Sequence, residues 1–353
     1  MDILAEIRGI EYSPFMCREL HTFVFDEIEK ALTKEATFIL RIGKGSEIAI
    51  SWWVSPKRTR SYPYTRVYDS LSFLGKKVTL IPLMKDEGIQ GDRDFLQWDT
   101  VSLMSLLGIY VIITYYSDAS MSQRYGGKIT KQRFDLDHIR NEVNRLTSYQ
   151  SDALHWNLHQ LDNIGAIGQK ALLAYQNIST KLSVSMHSRQ SAEKRIQQLL
   201  EGKAFFINLS RDLAKRAQNR ESVTRQPKEW LMGAKGTITI HNYLGGHYYL
   251  TCDEVEIHGK EVYLIEGEHT KTPRLPSLGD IKDGLLRMIL FTNLENTTIN
   301  RVSYNSVPIL KLTTGAGFIV ESLNQRQLGL LDILKKEAQT NGFRVLINDN
   351  FFV

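Results

Sequence analysis

The sequence predicts an α/β protein of the α+β kind in two parts, a C-terminal half built on a mixed sheet flanked by helices and an N-terminal α/β segment before it. Three observations lead there. At 353 residues, with 42% hydrophobic and 24% charged residues, the chain is long enough for two cores and ordinary in composition. Alternating apolar runs of strand length are interleaved with longer runs of helical period. A Ser- and Thr-rich stretch over 178–189 offers a join, dividing the chain into residues 1–180 and 181–353.

In the first part the pattern predicts a helix over 17–32, strands over 37–42 and 47–54, and a loop over 55–66. A strand over 77–83, a helix over 98–107 and a strand over 109–115 come next. A long helical region over 137–182 carries Leu146, Leu154, Leu158 and Leu161 at helical spacing. In the second part a helix over 191–218 precedes a strand over 237–242, and Leu244-Gly245-Gly246-His247 turns the chain into a strand over 248–257. A third strand comes back from a hairpin, then an amphipathic helix over 281–294 and a strand over 301–312.

The hairpin carries the chemistry. If its turn centres on Gly259 and Lys260, Asp253 lies opposite Glu266, and the period of two puts Glu266 and Glu268 on one face. Three carboxylates are then expected to converge at the end of a run, Val262-Tyr263-Leu264-Ile265, that reads as an interior strand. Carboxylates there are costly unless paired or bound to metal. Glu254 faces the other way by parity and is expected to be a surface acid.

This hairpin, with the elements around it, resembles the PD-(D/E)XK nuclease superfamily and, within it, the type II restriction endonucleases. That core runs helix, three-stranded meander, helix, strand, with Asp on the second strand and Glu-x-Lys on the third. The resemblance covers roughly the last 160 residues. Leu275-Pro276-Ser277 and the run from Asp280-Ile281-Lys282-Asp283-Gly284 to Phe291 are similar to the segment after the active-site strand in some restriction enzymes. The chain departs from the pattern at Glu268, giving Glu-x-Glu, a variant that a minority of these enzymes carry; Lys271 would supply the cation only if the strand ends or bulges there.

The resemblance implies Mg²⁺-dependent phosphodiester hydrolysis. Asp253 and Glu266 would hold the ion, and Glu268 would orient or deprotonate the attacking water. An inactive nuclease-like DNA-binding protein and a structure-specific repair nuclease are the alternatives. Double-stranded DNA is the expected partner, and a palindromic site would make a homodimer the economical reader.

Charge is consistent with a polyanion. The net charge is +5, and twelve Lys or Arg against five Asp or Glu between Lys181 and Lys235 put +7 there, leaving −2 elsewhere. Arg211, Lys215, Arg216 and Arg220 in that stretch, with Lys57, Arg58, Arg60 and Arg66 in the loop over 57–66, are the candidate DNA-binding residues. The acidic run over 85–99 is expected to cap the following helix through Asp92, Asp94 or Asp99.

Other chemistries fail on inspection. His155-Trp156-Asn157-Leu158-His159 has zinc-ligand spacing, but Trp156 stands where a metalloprotease has Glu. Gly43-Lys44-Gly45 lacks the flanking residues of a phosphate loop, so no nucleotide cofactor is expected. Two cysteines, Cys17 and Cys252, fit a reducing cytoplasm, and neither a signal peptide nor a membrane span is expected.

Overall fold

The computed structural model describes residues 1–43, 45–57, 63–200, 234–242, 247–319, 323–348 and 350–353. The chain packs as two units, one of Met1–Glu19 with Arg211–Val353 and one of Leu20–Ser210. The first strand, β1 (Asp2–Ile7), therefore lies with the C-terminal half: it runs parallel to a strand more than 230 residues further on. Its alternation of exposed and buried residues buries Ile3, Ala5 and Ile7 on one face.

In the second-named unit, β2 (Thr22–Val24), α1 (Ile28–Lys34), β3 (Thr37–Ile42) and β4 (Ser46–Trp52) are followed by α2 (Pro63–Tyr68), β5 (Lys76–Pro82), β6 (Met84–Asp86) and β7 (Arg93–Phe95). Then come α3 (Trp98–Leu106), β8 (Ile109–Thr114), β9 (Tyr116–Met121), β10 (Ile129–Phe134), α4 (Leu136–Thr147), α5 (Ala153–Asp162), α6 (Ile164–Leu182) and α7 (Arg189–Leu200). Five strands form a sheet in the order β2-β3-β4-β5-β8. The parallel strands β5 and β8 are apolar runs buried nearly throughout, as sheets covered on both faces require. The helix expected over 17–32 begins only at Ile28, because Thr22–Val24 is taken by pairing with β3. The helical region expected over 137–182 is three helices, with Asp135 and Asp152 capping the first two.

The edge strand β8 is sealed by side chains rather than by another strand. Asn157 of α5 accepts from Val111 N at 2.6 Å and donates to Ile109 O at 2.9 Å, and Trp156 Nε1 donates to Val111 O at 2.7 Å. Gln160 accepts from Ile113 N at 3.2 Å, and His138 of α4 reaches Ile113 O at 2.9 Å. Satisfying the ladder groups of an edge strand from a covering helix removes a site of uncontrolled pairing. The histidine-rich motif around Trp156 is thus an edge seal, with His155 bonded to its own helix cap, Asp152.

The other unit is one nine-stranded sheet, ordered β15-β14-β1-β11-β12-β13-β16-β17-β18. Its remaining elements are β11 (Ala234–Asn242), β12 (His247–His258), β13 (Glu261–His269), α8 (Leu278–Phe291), β14 (Glu295–Ile299), β15 (Val302–Ser303), β16 (Asn305–Thr313), α9 (Gln325–Asn341), β17 (Arg344–Ile347) and β18 (Asn350–Phe351). β11, β12 and β13 are an antiparallel meander, and β13 then pairs parallel with β16. α8 packs on β13 and β16 and buries Ile281, Leu285, Leu286 and Met288. Its start is set by a capping box between Ser277 and Asp280. Among the described residues no helix is long and apolar enough to cross a membrane.

Asn157 is fully buried and also donates to Ser105 Oγ at 2.9 Å. Asn157→Ala leaves an N–H and a C=O of β8 without these partners, each costing ~1–3 kcal/mol. A loss of about 3 kcal/mol or more by urea denaturation is expected; a change under about 1 kcal/mol would mean the edge is held by packing alone.

Candidate active site

The hairpin turns at Gly259 and Lys260, with Gly259 in the left-handed region at φ 63°, and the register runs from His258 with Glu261 to Glu254 with Ile265. One step on, the ladder gives way to a side chain: Gly267 N donates to Asp253 Oδ2 at 2.9 Å. On its other side β12 bulges, since Ala234 pairs with Val255 but Gly236 with Cys252, so Asp253 and Glu254 together face Lys235. A bulge re-aims side chains, and here it does so at the first candidate ligand.

Glu266 and Glu268 both meet α8. Glu266 is buried and its Oε1 lies 3.5 Å from Arg287 Nε, while Arg287 Nη1 donates to Thr251 O at 3.0 Å. Glu268 lies against Gly284, where an added Cβ would come within 3.1 Å of Glu268 Cγ and 2.6 Å of Leu310 Cδ1. The missing side chain lets the helix settle onto the strand ends. Burial, with Glu266, Asp283 and Asp280 nearby, pushes the Glu268 carboxyl up to about 10, and Arg287 opposes this only in part.

The three expected carboxylates are neighbours but do not assemble. Asp253 is directed to the Gly267 amide, Glu266 to Arg287 and Glu268 to the helix, and among the described residues no group of three His, Cys, Asp or Glu is placed to hold a metal ion. The donor chemistry fits a hard divalent cation, and the crowded negative charge is what such an ion would neutralise. Closing Asp253 and Glu266 on one ion requires the Gly267 and Arg287 contacts to give way.

Glu254 is not a surface acid. It is 2% exposed on the opposite face, where Lys311 Nζ of β16 lies 3.6 Å from its Oε2. Parity set its face, but that face is covered too, by a cluster of Ile265, Ile309 and Leu346. Lys271 lies two residues beyond the end of β13, exposed, with its backbone packed against Gly315. Among the described residues, Arg287 is a cation that acts on both Glu266 and Glu268. In sequence it is one of four charged residues of α8, with Asp280, Lys282 and Asp283, and only tertiary packing reveals its partners.

The candidate DNA-binding residues fare unevenly. Arg58, Arg60, Arg211, Lys215, Arg216 and Arg220 lie outside the described residues. Lys57 is exposed. Arg66 belongs to α2 and is committed to the interior: Nη1 donates to Trp52 O at 2.7 Å and the guanidinium sits 4.3 Å from the Trp52 ring centre. Burial lowers its pKa, as expected for a cation held away from water.

The acidic run over 85–99 forms a small hairpin of β6 and β7 and staples its surroundings. Buried Asp86 accepts from Gly88 N at 2.9 Å and meets His187 Nδ1 at 2.8 Å, and Asp94 accepts from Ser55 Oγ at 2.8 Å. The N-cap of α3 is Gln97, which makes no side-chain cap bond, so neither Asp92 nor Asp94 is the capping residue, and the side chain of Asp99 lies outside what is described. Glu87 lies between Lys85 and Lys128, which hold its carboxyl down to about 2 against the effect of burial.

Comparison of the chain with protein families, with curated proteins and with solved structures finds no match.

The raised Glu268 carboxyl makes stability depend on pH. Between its ordinary value of 4.5 and about 10 the folded state holds a proton that the unfolded state has lost. Stability from this group is present below pH 4.5 and declines as pH rises, by up to ~1.4 kcal/mol per pH unit. Glu268→Gln should match wild type at pH 4 and exceed it at pH 8 in urea denaturation; identical pH slopes would contradict the crowding.

Proposed function

We propose that this chain is a Mg²⁺-dependent endonuclease of the PD-(D/E)XK superfamily, a type II restriction endonuclease hydrolysing phosphodiester bonds of double-stranded DNA at a specific sequence. The observation that carries this reading is the position of Asp253 at the bulge within β12, and of Glu266 and Glu268 at the end of β13, in an antiparallel meander whose third strand runs parallel to β16, with α8 packed across both. From the meander onward, the order meander, helix, strand is the one the resemblance implies, while the helix expected before it lies largely outside the described residues. The acids stand on its second and third strands.

Asp253 and Glu266 would hold the metal. Bound there, Mg²⁺ would acidify a water and offset charge on the phosphoryl group. Glu268, which burial first and its negative neighbours second hold protonated, would orient the attacking water, and would deprotonate it where a bound cation offsets both. Arg287 holds Glu266 against α8 and supplies positive charge where the usual pattern has a lysine on the strand. A homodimer reading a palindrome is the assembly this activity favours.

A second reading, an inactive nuclease-like protein that only binds DNA, is favoured by one observation: Arg287 neutralises Glu266 while Glu268 stands in place of the lysine. Digestion of DNA of known sequence with Mg²⁺, read by sequencing the fragment ends, separates the readings. Discrete ends at one recurring sequence support the restriction endonuclease. Ends set by branches or flaps indicate a repair nuclease, and binding without cutting indicates the inactive protein.

Asp253→Ala and Glu266→Ala should each lower cleavage by about 1,000-fold or more, since neither carboxylate replaces the other at the metal, while duplex binding is kept or improved. Cleavage near the wild-type rate in either variant would remove the site assignment.

A further inference from the structure

With Arg66 committed to the interior, a different element of its unit presents the properties of a groove reader. β9 and β10 form a two-stranded antiparallel ribbon that is a sheet of its own. Its base is fixed: Tyr116 and Phe134 stack with ring centres 4.6 Å apart, both buried, and β9 packs on α6. Its far end is open to solvent, with Met121 50% and Tyr125 53% exposed.

From Ser122 to Arg133 the ribbon holds four cations, Arg124, Lys128, Lys131 and Arg133, and no acid. Lys128 is paired with Glu87 at 3.0 Å and Arg133 with Asp118. Arg124 and Lys131 are exposed and pair with no carboxylate among the described residues. Tyr125 lies between two of the cations, its ring centre 5.3 Å from the Arg124 guanidinium and 5.7 Å from Lys128 Nζ.

Lys131 is placed by strain. The register steps from Thr130 with Ser120 to Arg133 with Asp118, so Lys131 and Gln132 bulge opposite Ala119, and Lys131 takes φ 49°. A non-glycine residue in the left-handed region within a bulge is a costly way to turn a side chain. At the tip Gly127 turns the chain at φ 71°, and Gln90 of the loop after β6 packs against it, 3.3 Å from where a Cβ would stand. Gln90, Gln123, Arg124 and Tyr125 are therefore all exposed around one turn.

We propose that this ribbon tip enters the major groove of duplex DNA and reads its sequence. The inference rests only on the DNA-binding part of the proposed function. The major groove, ~12 Å wide, admits a two-stranded ribbon, and Arg and Gln are the side chains that bond guanine and adenine edges there in bidentate fashion. Lys131 lies on the strand beside the tip and serves a phosphate. An ordinary solvated hairpin mixes both signs of charge at its tip; between Ser122 and Arg133 this one carries cations and no acid, beside an exposed Tyr and Met.

The test uses the full chain, without divalent metal, and a 40-base-pair duplex of mixed sequence in fluorescence anisotropy across salt concentrations. Arg124→Ala/Lys131→Ala should weaken binding about 10-fold or more and flatten the plot of log affinity against log salt by ~2 units, one for each lost phosphate contact or its equivalent. Lys30→Ala/Lys34→Ala on α1 should change neither. Selection from randomised duplexes should show that Arg124→Lys, which keeps the charge, and Gln123→Ala relax the preferred sequence with little change in slope.

Wild-type binding to the duplex with an unchanged slope in the Arg124/Lys131 variant overturns the ribbon and leaves the nuclease reading standing. Tighter binding to poly-glutamate than to the duplex makes the tip a docking face for an acidic protein and overturns it too. A wild type that binds no duplex removes both proposals. A ribbon that binds as expected in a protein that cuts no DNA leaves the ribbon and removes the nuclease.

Discussion

Negative charge held under a helix is the constraint around which the nine-stranded sheet is arranged. Glu266 and Glu268 lie at the end of β13 with Asp280 and Asp283 of α8 beside them, and among the described residues Arg287 is a cation that offsets them. Such a group is retained against its desolvation cost only where the surrounding packing is strong. Here the packing is strong: β13 lies between β12 and β16, α8 buries an apolar face on it, and the opposite face carries its own ion pair, Glu254 with Lys311, above a cluster of Ile265, Ile309 and Leu346. Two local devices bring the acids into position. The bulge at Asp253 turns its carboxylate onto the Gly267 amide, and Gly284 removes the one atom that would hold α8 away from Glu268. Carboxyl groups crowded in this way at the end of a rigid sheet, one paired with Arg287 and one holding its proton, are the physical reason the proposed cation site is placed there rather than in a loop.

Where local chemistry decides the structure, the sequence was sufficient. The Gly259-Lys260 turn determined which residues face each other across the hairpin; the helix expected over 281–294 starts earlier, at Leu278, where Ser277 and Asp280 form a capping box. Strands β3, β5 and β8 could be read from apolar runs bounded by charged or glycine residues. The features that escaped depend on partners distant in the chain. The alternation in Asp2–Ile7 is visible, but nothing local says that its partner is β11. Glu254 looked solvated because a single strand does not reveal that β16 will bring Lys311 to the same face. Arg66 looked like part of a basic loop until α2 folded it over Trp52. The ribbon left a signal that could have been read, four cations without an acid around Tyr125-Gly126-Gly127, though its exposure and its bulge belong to tertiary structure.

The two units solve the same problem of open sheet edges in different ways. In the unit of Leu20–Ser210 the edge of β8 is closed by amide and indole side chains from α5, which explains the position of Asn157 and Trp156 without any metal chemistry. In the other, the long sheet ends in the short strands β15 and β18, too short to template further pairing. The ribbon of β9 and β10 is a strand pair that stands outside both large sheets, and its exposed Arg124 and Lys131 pair with no carboxylate among the described residues.

The claim that the acids of β12 and β13 form a divalent-cation site is tested most directly by binding the ion itself. Thermal unfolding of the metal-free protein, repeated with increasing Mg²⁺ or Mn²⁺, reports cation binding to the folded state independently of any DNA or cleavage. A site occupied at ten times its dissociation constant stabilises by ~1.4 kcal/mol, a measurable rise in Tm. The account predicts that rise in wild type, and its loss in the Asp253→Ala/Glu266→Ala double variant. No rise in wild type, or an equal rise in the double variant, would contradict it.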